Sequence, residues 1–315
     1  LGYEVNRVRT LGPLLALLAA CAFFAVQSSR FLTGENISLI VQQVMVVGVL
    51  AIGQSLVILT AGIDLSCGMV MALGGVVMSL LATRAGCSPA VAIAGGVGVT
   101  TVAGFVNGLL ITRIKLPPFI VTLGTMNIAF ALTQLVSKSQ SITDLPPLLT
   151  VLGDTVRVGR TPIAYGAVAM LLLYALAWWL LRETAGGRHV YAVGNAPEAA
   201  RLSGIATTRV LLTVYVLAGA CYGVAALLGI ARTGVGDPQA GQTENLDTVT
   251  AVVLGGTSLF GGRGVILGSL VGALIVGVFR NGLTLMGVSS IWQILVTGVL
   301  VILSVAVDRS SGGSR

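Results

Sequence analysis

Of this chain's 315 residues, 55% are hydrophobic and only 9% are charged, where a soluble domain carries roughly 25% charged residues. With 18 basic and 11 acidic side chains and a mean hydropathy of +0.97, the chain cannot cover the surface of a water-soluble fold, so the bilayer must be its main solvent. Aromatic residues make up 5% and glycine fills 42 positions, which excludes the alternating, aromatic-girdled pattern of a membrane β-barrel and suits helices that approach through small residues.

The chain opens with Arg7 and Arg9 ahead of an apolar run that passes through Leu18-Ala19-Ala20-Cys21. That tetrapeptide is similar to a lipoprotein cleavage site. The run continues through Ala22–Val26, however, so it reads as an uncleaved first span. Stretches near the ~20 residues that cross the hydrocarbon as a helix fall at about 11–27, 37–60, 65–83, 90–112, 118–136, 162–181, 210–231, 246–260, 264–283 and 289–307. An even number of spans puts both termini on one side. With that side cytoplasmic, it collects Arg7, Arg9, Arg113, Lys115, Arg182, Arg188, Arg201, Arg209, Arg263, Arg309 and Arg315; Arg30, Arg84, Lys138, Arg157, Arg160, Arg232 and Arg280 lie opposite. This bias places both termini inside, and it accounts for the net charge of +7 without a nucleic-acid partner.

An internal repeat emerges when residues 93–125 are laid on 267–299. Val97/Val271, Gly98/Gly272, Val102/Val276, Phe105/Phe279, Asn107/Asn281, Gly108/Gly282, Leu109/Leu283, Ile120/Ile294 and Gly124/Gly298 coincide, with "FVNGL" against "FRNGL" as the best part. The copies fall in the fourth and fifth and in the ninth and tenth spans, and an offset of five spans reverses orientation. The expected fold is therefore all-α: a single polytopic domain over 1–315, with about ten transmembrane helices in an inverted five-plus-five repeat. Two Gly-containing interruptions, "TAGIDLSCGM" (60–69) and "GGTSLFGGRG" (255–264), either mark the solute route or are turns between helices.

No catalytic, metal or nucleotide site is expected. The only lysines, Lys115 and Lys138, follow no glycine, so there is no GxxxxGK[ST] phosphate loop. The sole histidine, His189, sits in a basic loop, and Cys21, Cys67, Cys87 and Cys221 are too dispersed for a metal site or disulfide framework. The acids lie almost entirely in loops. Asp64, at a helix start, is either an N-cap or a group with a direct part in gating or coupling. The polar residues of the spans are neutral: Gln42, Gln43, Gln54, Asn107, Asn127, Gln134, Asn281 and Gln293, with Trp292 beside the last. Gln54, Asp64, Asn107, Asn127, Asn281, Trp292 and Gln293 are candidates for a translocation pathway, since amides can serve a neutral hydroxylated solute; interhelical bonding is the competing reading.

Residues 182–209 form the longest polar cytoplasmic segment. Within it Asn195 is placed as an N-cap with Glu198 as its capping-box partner, Pro197 in the first turn, Arg201 in the last and Gly204 as the stop. A helix of about eight residues is ~12 Å long and too short to stand alone in water. Ala199, Ala200, Leu202 and Ile205 supply its contacts, so the segment is a handle for a soluble partner or a piece packed on its own bundle.

"GNAPEAARLSGI" resembles the coupling segment of permease subunits from bacterial ABC importers of the ribose/xylose/galactose type. "LVILTAGIDLSCGMVMALGG", "LPPFIVTLGTM" and the stretch from "LDTVTAVVLGGTSLFGGRG" to "IWQILVTGVLVI" are similar to that family too, in the expected order from about 37 to 307. The chain departs from the family at "NIAFALTQLVSKSQSI" (127–142) and at "TENLD", which keeps Asp247 but moves the acid to Glu244.

The resemblance implies a non-enzymatic permease subunit for a monosaccharide or sugar-like solute in the bacterial inner membrane. It implies pairing with a second permease chain and delivery by an extracytoplasmic solute-binding protein. It also implies that Gly194, Asn195, Pro197, Glu198, Ala199, Ala200, Arg201, Leu202, Ser203 and Gly204 engage ABC ATPase subunits. ATP-Mg would belong to that ATPase, with no cofactor in this chain and membrane lipid around it. An ion-coupled secondary transporter built from inverted repeats is the alternative, ahead of a purely structural membrane scaffold.

Overall fold

The computed structural model describes residues 2–159, 161–299 and 302, with side chains from Gly12 onward; Arg160, Arg309, Arg315 and most of the last span beyond residue 299 lie outside the described residues. Helix makes up 75% of the structure and strand 3%. Among the described residues, six helices are long and apolar enough to cross a membrane: α2 (Gly34–Leu59), α4 (Pro89–Arg113), α5 (Pro118–Ser137), α7 (Tyr165–Glu183), α10 (Thr207–Thr233) and α12 (Ile266–Leu285). Shorter apolar helices accompany them: the Gly12–Gln27 part of α1 (Gly2–Gln27), α3 (Cys67–Thr83) and α13 (Ser290–Val299). The single turn α6 (Pro147–Thr150), continued by a 3-10 turn (Val151–Gly153), α8 (Ala185–Asn195), α9 (Pro197–Leu202) and α11 (Glu244–Leu254) complete the helices among the described residues.

One element departs from an all-helical plan. β1 (Thr155–Val158) and β2 (Thr161–Ala164) form an antiparallel hairpin with Thr155 opposite Ala164 and Val158 opposite Thr161. Gly159 takes φ +64°, as a two-residue hairpin turn requires. The hairpin ends directly at the start of α7, so the sixth apolar stretch becomes helical at Tyr165 rather than near 162. A larger difference concerns the stretch expected at 246–260. Helix α11 stops at Leu254, because Gly255-Gly256 and Gly261-Gly262 turn the chain, with positive φ at Gly256, Gly261 and Gly262.

Helix α2 is the axis of the bundle. It is apolar on all sides, as a helix surrounded by others must be, and from Val44 to Leu59 every residue is buried. It touches α3, α7, α8, α10, α11 and α12. Tyr174 of α7 donates its hydroxyl to Gly48 O at 2.9 Å, which fixes that contact. At the N-terminal end of α2 Asn36 and Asn281 exchange amide hydrogen bonds, both 2.9 Å, and Asn36 also donates to Phe31 O. This buried pair ties α2 to α12.

Between α4 and α10 the backbones nearly touch. A Cβ on Gly104 would lie 2.2 Å from Tyr215 O, and one on Gly219 would lie 2.4 Å from Thr100 O. Gly98, on the same helix α4, faces open space. We expect Gly104→Ala to lower stability by about 1–3 kcal/mol, the usual cost of overpacking, and Gly98→Ala to leave it unchanged. Thermal unfolding of the two purified variants in detergent measures this; equal midpoints would remove close packing as the reason for Gly104.

Candidate functional site

Two sets of residues carry the functional features. The first lies in the polar segment that follows α7. After α7, Thr184 starts α8 by accepting the Gly187 N–H at 3.1 Å. Helix α8 then buries Gly187, Val190, Val193 and Gly194 on one side and leaves Arg188 exposed. Pro197 sets the end of this helix, because the residue before a proline is pushed out of helical conformation. Ala196 accordingly takes φ −154°, ψ 84°, ending α8 and serving as the N-cap of α9, with Pro197 at N1.

The expected capping box therefore does not form. Asn195 is the last residue of α8, not a cap, and the frame of the short helix is shifted by one residue. Glu198 pairs instead with Arg201, with Nε and Nη2 each 3.0 Å from Oε2. Helix α9 has six residues rather than about eight, and it closes at Gly204 with φ +87°. It is held by the burial of Ala200 and by Ile205 N donating to Ala200 O at 3.0 Å. Its outer face presents Pro197, Glu198, Ala199, Arg201, Ser203 and Gly204 to solvent, and Leu202 is 80% exposed.

The second set lies inside the bundle around the turn 60–66. Asp64 is wholly buried and is held by neutral donors: Ser66 N at 2.8 Å, Ser66 Oγ at 2.6 Å and Tyr222 Oη at 3.2 Å. Bonding two residues ahead makes an Asx turn, so Asp64 does not cap α3; the cap position belongs to Ser66, whose side chain makes no cap bond. The cap is supplied from elsewhere. Asn245, in the first turn of α11, accepts the Gly68 N–H at 2.6 Å and lies 3.4 Å from Cys67 Sγ. Gly68 has to be glycine here, because a Cβ would lie 2.2 Å from Gly241 O.

The network extends outward from this turn. Asn107 donates to Ser66 Oγ at 3.2 Å and accepts from the Thr125 hydroxyl, while Thr122 donates to Ile63 O at 3.1 Å. Tyr222 Oη is also 3.4 Å from Gln54 Oε1. Gln54 Nε2 and Tyr215 Oη, both buried, have no hydrogen-bond partner among the described residues. The result is a compact set of neutral donors and acceptors around one carboxylate.

Gln54, Asp64 and Asn107 thus come together, whereas the other pathway candidates lie apart. Asn127 is exposed and bonds to Leu123 O of its own helix at 3.1 Å. Asn281 belongs to the pair with Asn36. Trp292 is 61% exposed, and Gln293 bonds to Thr284 Oγ1 and Val288 O, both at 3.0 Å. Ser66, Thr125, Asn245, Tyr215 and Tyr222 belong to the cluster and were not singled out by sequence. Asn245 stands in "TENLD", whose acids Glu244 and Asp247 are the sequence's more conspicuous features; Asp247, also buried, pairs with Arg280 at 2.9 Å and braces α11 on α12.

The family model described as "Branched-chain amino acid transport system / permease component" matches residues 36–305. The fructose import permease protein FrcC of Rhizobium meliloti is 46% identical over 303 residues, covering 94% of this chain and 84% of that protein. The ribose import permease protein RbsC of Bacillus subtilis is 40% identical over 304 residues, 96% and 93% of the two chains. The L-arabinose ABC transporter permease protein AraH of Azospirillum brasilense is 34% identical over 304 residues, 96% and 88%. These matches leave the ion-coupled and scaffold readings without support. The chain belongs to the ABC importer permease family and is a multi-pass transport subunit of the inner membrane, not an enzyme.

Proposed function

We propose that this chain is the membrane-spanning permease of a binding-protein-dependent ABC importer for a monosaccharide or sugar-like solute. Two permease chains pair, two ATPase subunits hold ATP-Mg and dock under α9, and an extracytoplasmic binding protein delivers the solute. The chain forms one domain of ten spans in two inverted halves with both termini cytoplasmic; α3 and α11 are its short members. The printed description of the family model names branched-chain amino acids, while the matched relatives are named for fructose, ribose and arabinose, and the neutral cluster favours the second class. A zwitterionic solute would call for paired fixed charges, whereas Asp64 makes no ion pair among the described residues and its neighbours are hydroxyls and amides.

The observation that carries the docking assignment is Leu202. A large apolar side chain 80% exposed on a polar cytoplasmic helix, beside the Glu198–Arg201 pair, has the composition of an interface core inside a charged rim. We expect Glu198→Arg or Leu202→Asp to abolish co-purification of the cognate ATPase while the permease still inserts into the membrane. Unchanged co-purification would sink the docking assignment, and uptake driven by an ion gradient with no ATPase present would overturn the transport reading.

The solute pathway passes the cluster at Gln54, Asp64 and Asn107, with Ser66 and Asn245 as further members. Loss of one hydrogen-bonding amide there should cost about 1 kcal/mol, so Asn107→Ala and Asn245→Ala are expected to lower uptake in reconstituted vesicles by roughly 5–10-fold. Asn127→Ala and Gln293→Ala, away from the cluster, should leave uptake within about 2-fold. Equal effects at all four positions would argue against this route. A thermal-shift screen of the partner binding protein against pentoses, hexoses and related polyols identifies the solute.

A further inference from the structure

Three segments remote in sequence meet at one point beside α9. Gly262 N donates to Leu59 O, at the last residue of α2, with a length of 2.9 Å. The end of α8 lies directly on this bond: a Cβ on Gly194 would sit 1.8 Å from the same Leu59 O and 2.7 Å from Gly262 N. The turn that carries Gly262 is closed on itself, with Ser258 N donating to Arg263 O and Gly261 N to Ser258 O. Gly261 and Gly262 take φ +81° and +67°, and a Cβ on Gly262 would come within 2.6 Å of Asn195 Cα. Tyr191, one turn back along α8, donates its hydroxyl to Gly264 O at 3.0 Å.

These contacts join the two interruptions of the sequence to the cytoplasmic platform. Leu59 is followed by Ala61 at φ +59° and then by Asp64, so the first interruption begins at this point. The second, 255–264, supplies Gly261 and Gly262. Main chain meets main chain here, and the side-chain atoms at the contact are the Cβ atoms of Asn195 and Ala61, which no rotamer change can move. A side chain absorbs a displacement by changing rotamer, but packed backbone passes it on to whatever it touches.

We propose that this contact is a joint that transmits movement of α9 to both interruptions, with Gly194, Tyr191 and Gly262 as positioning residues for transport. The proposal rests on α9 being the docking element for the ATPase. A merely structural junction would keep the platform in place without influencing how hydrolysis is used, and the two roles differ in the ratio of solute moved to ATP consumed.

The test uses the permease with its cognate ATPase and binding protein in proteoliposomes, measuring ATPase co-purification, hydrolysis and uptake for each variant. Gly262→Ala, whose Cβ would force the turn off Asn195 at the end of α8, is expected to retain the ATPase and its hydrolysis while solute moved per ATP falls at least ~10-fold. Tyr191→Phe removes only the bond to Gly264 O and should lower that ratio by roughly 2–5-fold. An unchanged ratio in both variants overturns the joint and leaves the docking assignment standing. Loss of the ATPase together with uptake also overturns it, since the contact would then only shape the platform. If Gly262→Ala is not recovered from the membrane, Tyr191→Phe decides by the same criteria. An unaltered permease that captures no ATPase refutes the docking assignment itself.

Discussion

The architecture depends on how closely neighbouring helices can approach α2. In a bilayer the apolar faces of helices gain little from leaving lipid for one another, so association rests on contact packing and on interhelical hydrogen bonds. Along α2 the small residues serve the packing. Gly53 lets Ala218 and Tyr222 of α10 lie against the helix, Gly48 receives Met170 and Tyr174 of α7, and Gly277 of α12 receives Val44. The hydrogen bonds lie at chosen heights: Asn36 to Asn281 at one end, Tyr174 to the Gly48 carbonyl in the middle, and Tyr222 to the Gln54 and Asp64 side chains near the other. Each bond pins a helix at a level, while the glycines set its distance.

A helix that begins inside a bundle leaves N–H groups that water cannot reach, and α3 solves this with groups from its partners rather than with its own cap. Asn245 takes the Gly68 N–H, and the Asp64–Ser66 Asx turn takes another at Ser66. In consequence the start of α3 and the first turn of α11 are one structural unit. The same arrangement fixes the polar cluster, since Ser66 in turn receives Asn107 from α4.

Hydropathy locates the six long helices, because the bilayer imposes a length and a composition on them, but it overruns at 246–260, where α11 ends at Leu254. It did not fix rotation about the helix axis: α2 and α10 are apolar on nearly every side, so nothing in their sequence told which of Gln42, Gln43 and Gln54 points toward Asp64. Asn107 and Asn281 occupy corresponding places in the repeat, yet one joins the cluster and the other pairs with Asn36. Their partners come from segments that the repeat does not match. The platform was legible as polar and exposed, but its frame was not. Two local rules competed at Asn195-Ala196-Pro197, and the steric demand of Pro197 on Ala196 overrode the capping preference of Asn195.

The distribution of buried charge bears on where such a bundle can yield. Asp247, buried, and Arg280, partly exposed, form an ion pair across α11 and α12, and separating them would leave a buried carboxylate without its counter-ion. The backbones of that pair of helices also touch: a Cβ on Gly272 would lie 1.8 Å from Ala251 O. Helices α11 and α12 are therefore braced to move together. Asp64 is held differently. Two of its three bonds come from Ser66 within its own turn and would travel with it, so a single 3.2 Å bond from Tyr222 ties the carboxylate to α10. Ser66 adds one 3.2 Å bond to Asn107 on α4. A displacement reaching Leu59 and Gly262 together meets a braced pair of helices on one side and, on the other, a turn held to its neighbours by bonds from Tyr222, Asn107 and Thr122. Those are the bonds that moving the turn at 60–66 would break, and that turn carries the polar cluster.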